Sequence, residues 1–301
     1  MDESKKRLTF LGIVGILVLV IVVSVVYLNQ SGPAGNTKSG GTSVVDDKKN
    51  ESGMITIKDI NDGEMQIPKY NVAESSYDID KITEEQGIIS YDGVKRIGIT
   101  VTEKNGDIDW QKVKDSGVDF VYVRIGYRGV TDGKVYRDSS CGDKIMGADE
   151  AGLGVGVYFY SHATTEDEAA EEADEVLNKI RGYQIKYPIV FDWEFTPESR
   201  LSGDTQPRTQ DVTPDRVTRF ADAFCEKIRK SGYKTMISMD KQMGYDYYDL
   251  EKLKDNAILY VEYKKQPAFH YNFAMWQYSS EGSVPGIEGN VKMTYSFEDY
   301  S

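Results

Sequence analysis

Only two histidines and two cysteines occur among the 301 residues, and that scarcity removes several chemistries at once. His162 and His270 are too few and too far apart for a metal cluster, which needs several nitrogen, sulfur or carboxylate ligands. No motif supports a serine nucleophile paired with histidine. Cys141 and Cys225 suffice for one disulfide in an exported domain, whereas Cys225 lies on the apolar stripe of a helix, which suits a buried thiol. Positive charge is also short: 36 Lys and Arg stand against 49 Asp and Glu, for a net charge of −13. That balance excludes the basic footprint needed for nucleic acid and leaves no general attraction to anionic polymers. The sequence offers no site for a metal or organic cofactor, and it names no protein partner.

Long apolar runs are missing as well, with one exception. Leu8 to Leu28 is broken only by Thr, Gly and Ser, and its ~21 residues are enough to cross a bilayer as a helix. Lys5, Lys6 and Arg7 precede it and no basic residue follows before Lys38, which puts the N-terminus in the cytoplasm and the rest outside. A cleaved signal peptide has an apolar core of only ~7–15 residues. The expectation is therefore a single-pass anchor in the cell membrane at 8–28, behind a cytoplasmic tail at 1–7. Residues 29–53 are polar and glycine-rich, a flexible linker. Residues 54–95 form a lead-in segment, where two short alternating runs flank Asn61-Asp62-Gly63 and predict a hairpin.

From Arg96 to Ser301, strand patterns alternate with helix patterns. Strands are expected at 97–101, 118–125, 154–160, 189–191, 235–239, 257–263 and 273–278. Asp109, Thr165 and Thr213-Pro214 open helices, and Gly117, Gly152 and Gly182 end them. The last third is poor in helix. The fold class expected is α/β: a parallel (β/α) barrel, TIM-like, with about eight strands and roughly five helices, preceded by the transmembrane helix. Active sites of such barrels lie at the C-terminal ends of the strands.

One strand ends in a distinctive way. The run Tyr187-Pro-Ile-Val-Phe-Asp-Trp-Glu194 is apolar and then delivers two carboxylates, Asp192 and Glu194, spaced i and i+2. Strand side chains alternate, so both point the same way, with α-carbons roughly 6.6 Å apart. Paired carboxylates are the minimum equipment for cleaving a glycosidic bond. Tyr158 and Tyr160 share a strand face, as do Trp276 and Tyr278. Such rings suit either a sugar groove or barrel packing. Arg124, on a buried strand, needs a carboxylate partner, with Asp192 a candidate. His162 reads as a hydrogen-bonding wall residue, and the acidic stretch Glu166 to Glu175 as a solvated helix face.

With these motifs in place, the chain resembles the glycoside hydrolase family 25 lysozymes, N-acetylmuramidases that cut peptidoglycan. The resemblance rests on Gly98-Ile-x-Val-Thr with Gly106-Asp-Ile-Asp-Trp110, on Gly117 to Tyr127, on Ala151 to Ser161, on Tyr187 to Glu194, and on Met275 to Ser280 with Gly286 to Val291. It implies a barrel of eight strands and roughly five helices. It also implies Glu194 as catalytic acid with Asp192 beside it, and peptidoglycan or a related amino-sugar polymer as substrate.

Two of the four acids usual in that family are replaced: Thr100 and Lys292 stand in their places, and Asp240 stands where an Asn is usual. Fewer anions and one added cation would lower the proton affinity of Glu194 and weaken support for a cationic transition state. The alternative is a barrel that has lost turnover and binds glycan. An inward Lys292 would favour binding, and an inward Asp240 beside the pair would favour catalysis.

Overall fold

In the computed structural model, residues 53–301 are described apart from 78–80, 86–87, 197–200 and 202–204. The expected tail, anchor and all but the last residue of the linker lie outside the described residues. Among the described residues no helix is long and apolar enough to cross a membrane.

The lead-in opens with the expected hairpin, β1 (Met54–Asp59) and β2 (Gly63–Pro68), paired in register from Met54↔Pro68 to Asp59↔Gly63. Its turn forms because Asp59 Oδ1 accepts the backbone N–H groups of Asn61 and Asp62 at 2.8 and 2.9 Å. Gly63 supplies the positive φ, 83°, that the turn requires. A second hairpin follows, β3 (Ile82–Glu85) with β4 (Ile88–Tyr91).

Eight strands then close into a barrel. In chain order they are β5 (Arg96–Val101), β6 (Phe120–Arg128), β8 (Gly154–Ser161), β9 (Ile189–Trp193), β10 (Thr235–Met239), β11 (Ala257–Val261), β12 (Met275–Gly282) and β13 (Val291–Ser296). Each pairs with the next and β13 returns to β5, while β7 (Val135–Arg137) adds an antiparallel edge beside β6. The expected wholly parallel barrel needs one correction: β13 runs antiparallel to both β12 and β5. The reason is chain length. Only residues 283–290 join β12 to β13, whereas a parallel crossover takes about a dozen residues or more.

Four α-helices cover the outside: α1 (Trp110–Asp115), α2 (Cys141–Glu150), α3 (Glu166–Lys179) and α4 (Pro214–Lys230). With a single π-helical turn at Met243–Tyr247, they come to about the expected number. Helix α4 buries Val217, Phe220, Ala221, Phe224, Cys225 and Ile228, the stripe legible in its 3.6-residue period. Cys225 and Cys141 are buried free thiols, so no disulfide joins them.

Between β11 and β12 no helix forms. That flank is covered instead by the lead-in, through a bridge of Glu74 to Tyr271 and backbone hydrogen bonds from Ser75 to His270 and from Asn272 to Ala73. Ile67 is fully buried there. A cavity of about 520 Å3 remains beneath this strap, outside the barrel wall and at the start of β11.

The lumen is packed by Phe120, Tyr122, Tyr158, Tyr187, Val190, Met236, Leu259 and Met275. Glycines make room for those rings. A Cβ on Gly98 would lie 2.2 Å from the Phe120 ring, and one on Gly156 would lie 2.4 Å from Tyr122. The acidic face of α3 is not simply solvated: Glu172 is fully buried and accepts from Arg128 Nε at 2.7 Å, and Glu171 accepts from Arg128 Nη2 at 2.7 Å.

Candidate active site

Strand β9 is buried on both faces. Ile189, Phe191 and Trp193 turn outward to the helices, and Val190 turns into the lumen. The same parity brings Asp192 inward at the C-terminal end, and Glu194 continues it one step beyond the strand. Asp192 is 6% exposed, and its Oδ1 finds no hydrogen-bond partner within the protein. It lines a cavity of about 10 Å3 with Thr100, Tyr158, Ser238, Gln277 and Lys292. A space that size holds no ring-sized ligand, so any such ligand is confined to the rim above it.

Glu194 is half-buried at that rim, and the Tyr160 hydroxyl donates to its Oε2 at 3.3 Å. Its pKa is raised from 4.5 to about 7. Burial is the largest cause, and the charge of Asp192 is next. Lys292 and the Tyr160 hydrogen bond pull it down, and Asp240 pushes it up. Lys292 and Asp240 thus both act on Glu194 and oppose each other, while desolvation and the neighbouring carboxylate decide the outcome.

The other expected site residues divide. Tyr158 and Tyr160 stand together on the inner side of β8: Tyr158 is buried in the lumen and Tyr160 reaches the rim. Asp240 is exposed just past β10, where its Oδ1 caps the π-helical turn by accepting from Met243 N at 2.8 Å.

Arg124 does not pair with Asp192. Its Nη2 lies 3.5 Å from Asp138 and 3.6 Å from Glu103, and its guanidinium sits 5.1 Å over the Tyr127 ring. Trp276 and Tyr278 do share a face, but it is the outer one. Trp276 is fully enclosed with its Nε1 donating to Glu262 O at 2.9 Å, and Tyr278 stacks on Tyr295 at 4.1 Å. Their neighbours Met275 and Gln277 face the lumen instead. His162 is a wall residue, its ring nitrogens 2.8 Å from Arg128 O and 2.9 Å from Thr196 Oγ1. Burial lowers its pKa.

Sequence reasoning missed three participants. Asp138 is the buried anion that holds Arg124. Gln277 faces the lumen beside Lys292, and the parity of Met275 was the signal for it. Tyr263 follows β11 and donates its hydroxyl to Gln277 Oε1 at 2.7 Å.

Comparison with known proteins adds to this geometry. The family model for glycosyl hydrolases family 25 matches residues 99–287. An autolytic lysozyme of Clostridium acetobutylicum is 29% identical over 203 residues, which is 65% of this chain and 54% of that protein. Two solved structures share the fold. The modular autolysin LytC from Streptococcus pneumoniae, in complex with a synthetic peptidoglycan ligand, superposes with TM-score 0.57 at 21% identity, over 81% of this chain and 56% of that one. A family 25 glycosyl hydrolase from Bacillus anthracis superposes with TM-score 0.58 at 18% identity, over 70% of this chain and 92% of that one. The chain therefore spans about half the length of the autolytic lysozyme and of LytC.

Proposed function

Because this chain belongs to the glycosyl hydrolases family 25, we propose that it is a lysozyme-type glycosidase cleaving the glycan strand of peptidoglycan, with Glu194 as general acid and Asp192 as its partner. The observation that carries this reading is that Asp192 and Glu194 follow one another on the inner face at the C-terminal end of β9, with Glu194 half-buried and held by the Tyr160 hydroxyl. A general acid must hold its proton near working pH, and a pKa of about 7 meets that requirement. Tyr160 occupies Oε2, which leaves Oε1 to deliver the proton to the leaving glycosidic oxygen. Asp192 stays close by as the anion that supports the cationic, oxocarbenium-like transition state. Tyr158 and Tyr160 form the floor and one edge of the site.

The membrane belongs to the same proposal. Leu8–Leu28 anchors the chain, and the linker at 29–53 presents the barrel on the outer surface. Autolytic lysozyme and LytC are consistent with a cell-wall polymer as substrate, and no nucleic acid is involved.

A second reading has its own support: Lys292 lines the lumen cavity beside Asp192, which suits a barrel that binds glycan without cutting it. Reducing-sugar release from purified peptidoglycan by the full chain, beside Glu194→Gln, separates the two. Release by the parent alone is expected. A parent that releases nothing yet still sediments with the polymer would leave the binding module standing.

A further inference from the structure

The lead-in hairpin ends at the catalytic mouth. Strands β9, β10 and β11 are parallel, so residues just past β10 and β11 stand at the same end of the barrel as Asp192 and Glu194. The β1–β2 turn reaches both of those stretches. That turn precedes the segment matched by the family model, 99–287.

Two sets of contacts join the turn to the barrel. Lys241 Nζ lies 2.8 Å from Asp59 and pairs with Asp62 on the hairpin side, and it lies 3.7 Å from Glu262 on the barrel side. Asn61 Nδ2 donates to Glu262 Oε1 at 3.2 Å and to Gln266 O at 3.4 Å. The other oxygen of Glu262, Oε2, accepts from the Tyr260 hydroxyl at 3.0 Å and from Ala268 N at 2.8 Å. Its backbone is fixed as well, with N donating to Gln277 O at 3.2 Å and O accepting from Trp276 Nε1. A residue held at so many points fixes the direction in which its neighbour leaves.

Both barrel residues gripped by the turn adjoin a residue of the rim. Glu262 precedes Tyr263, whose hydroxyl donates to Gln277 Oε1 at 2.7 Å. Gln277 in turn shares the lumen cavity with Asp192 and Lys292. Lys241 follows Asp240, whose charge acts on Glu194. The Tyr263 hydroxyl is within electrostatic reach of the same groups: burial raises its pKa, Lys292 lowers it, and Glu194 and Asp192 raise it again.

Attachment alone does not call for this polar tip. Ile55, Ile57, Met65 and Ile67 already pack the hairpin onto the core. In partly buried ion pairs desolvation offsets much of the attraction, so such a cluster does more to select one geometry than to add stability.

We propose that the tip of the lead-in hairpin is a positioning element of the catalytic mouth, in which Asn61 and Asp62, acting through Glu262 and Lys241, hold Tyr263 and Asp240 at the rim. The proposal rests on the glycan-cleaving reading above and extends the working site of this chain to residues that come before the family's segment.

The test is a double-mutant cycle on the full chain between the tip (Asn61→Ala/Asp62→Ala) and Tyr263→Phe. Asp59 is kept, because its Oδ1 builds the turn. The tip variant is expected to lose about three- to ten-fold in kcat/KM on peptidoglycan fragments. It should lose little more once the Tyr263 hydroxyl is gone, because residues acting through one contact are not additive. Tyr70→Phe controls for support alone: it deletes a 2.8 Å hydrogen bond to Tyr248 O elsewhere on the lead-in, and it should lower Tm while kcat/KM stays at the parent value. Additive losses in the cycle, a tip variant as active as the parent, or an equal loss of activity in Tyr70→Phe would each overturn the proposal.

Fluorine NMR of the full chain carrying 3-fluorotyrosine reads the same contact without activity. The Tyr263 resonance, identified by its loss in Tyr263→Phe, should move in the tip variant and stay in place in Tyr70→Phe. A resonance that does not move in the tip variant overturns the positioning role whether or not the chain cuts peptidoglycan. A resonance that moves, in a chain whose parent releases no reducing sugar, supports the hold of the tip on the mouth and removes only the hydrolase reading.

Discussion

Lys292 and Thr100 face each other directly across the antiparallel pair of β13 and β5. Opposed residues in such a ladder have Cβ atoms only about 4.5–5.5 Å apart, so Thr100 and Lys292 meet at one spot of the barrel wall. That spot puts one ammonium on the lumen cavity that Asp192 also lines. Glu194 nevertheless stays well above an ordinary carboxylic acid, because burial and Asp192 outweigh the ammonium.

As the proposed general acid Glu194 must be protonated to act, so cleavage should be high below about pH 7 and fall as pH rises through it. The decline should approach about tenfold per pH unit well above that point. The measurement is kcat/KM against pH on peptidoglycan fragments. An alkaline limb centred near the ordinary glutamate value would remove Glu194 from the acid's role.

Lys292→Met removes a cation that favours the ionised carboxylate, and Tyr160→Phe removes a hydrogen bond with the same sign. Each should move the alkaline limb to higher pH and raise the rate at pH 8, by about two- to five-fold for half a unit of movement. Thr100→Asp should act in the same direction by adding a like charge. Profiles that coincide with the parent's would show that the rim charges do not reach Glu194.

The same group makes a prediction for stability. Its folded pKa, about 7, lies above its ordinary 4.5, so its favourable contribution is complete below 4.5 and is lost as pH rises through 7. Glu194→Gln, which cannot ionise, should be the more stable protein above pH 7, by on the order of 3 kcal/mol at most. The advantage should vanish below pH 4.5. Urea midpoints measured at pH 4 and pH 8 decide it, and an equal gap at both pH values would contradict the assignment.

Lys241 sits 2.8 Å from Asp59, whose side chain is fully buried, and it also pairs with Asp62 and Glu262. Lys241→Ala leaves Asp59 buried without its cation, at a cost of about 3 kcal/mol. Hydrogen exchange should accelerate in residues 54–68 before it does in β9. Uniform exchange across the domain would show that the hairpin is not held by this clamp.

Much of the site was legible because a strand has a period of two. Asp192 and Glu194 had to share a face, and the apolar residues before them had to be buried. The same rule placed Trp276 and Tyr278 together but could not say which face was the lumen, because both faces of a barrel strand are apolar. Met275 settles it by packing inside. The partner of Arg124 was out of reach for a different reason: Asp138 arrives from beyond the β7 edge, and no local pattern marks it. Helix α3 looked solvated because Glu172 is charged, yet Arg128, 44 positions earlier, buries with it.

The residues that carry the family's signature, 99–287, are fewer than the residues that make the object. The strand that closes the barrel, β13, lies wholly after them, and the strap that seals Tyr271 lies wholly before them: Tyr70 N donates to the Tyr271 hydroxyl at 3.0 Å, and that hydroxyl donates to Pro68 O. Descent and folding thus draw different borders on this chain. The matched segment holds seven of the eight barrel strands in whole or in part, while the strand that completes the ring and the strap that covers its flank lie outside it.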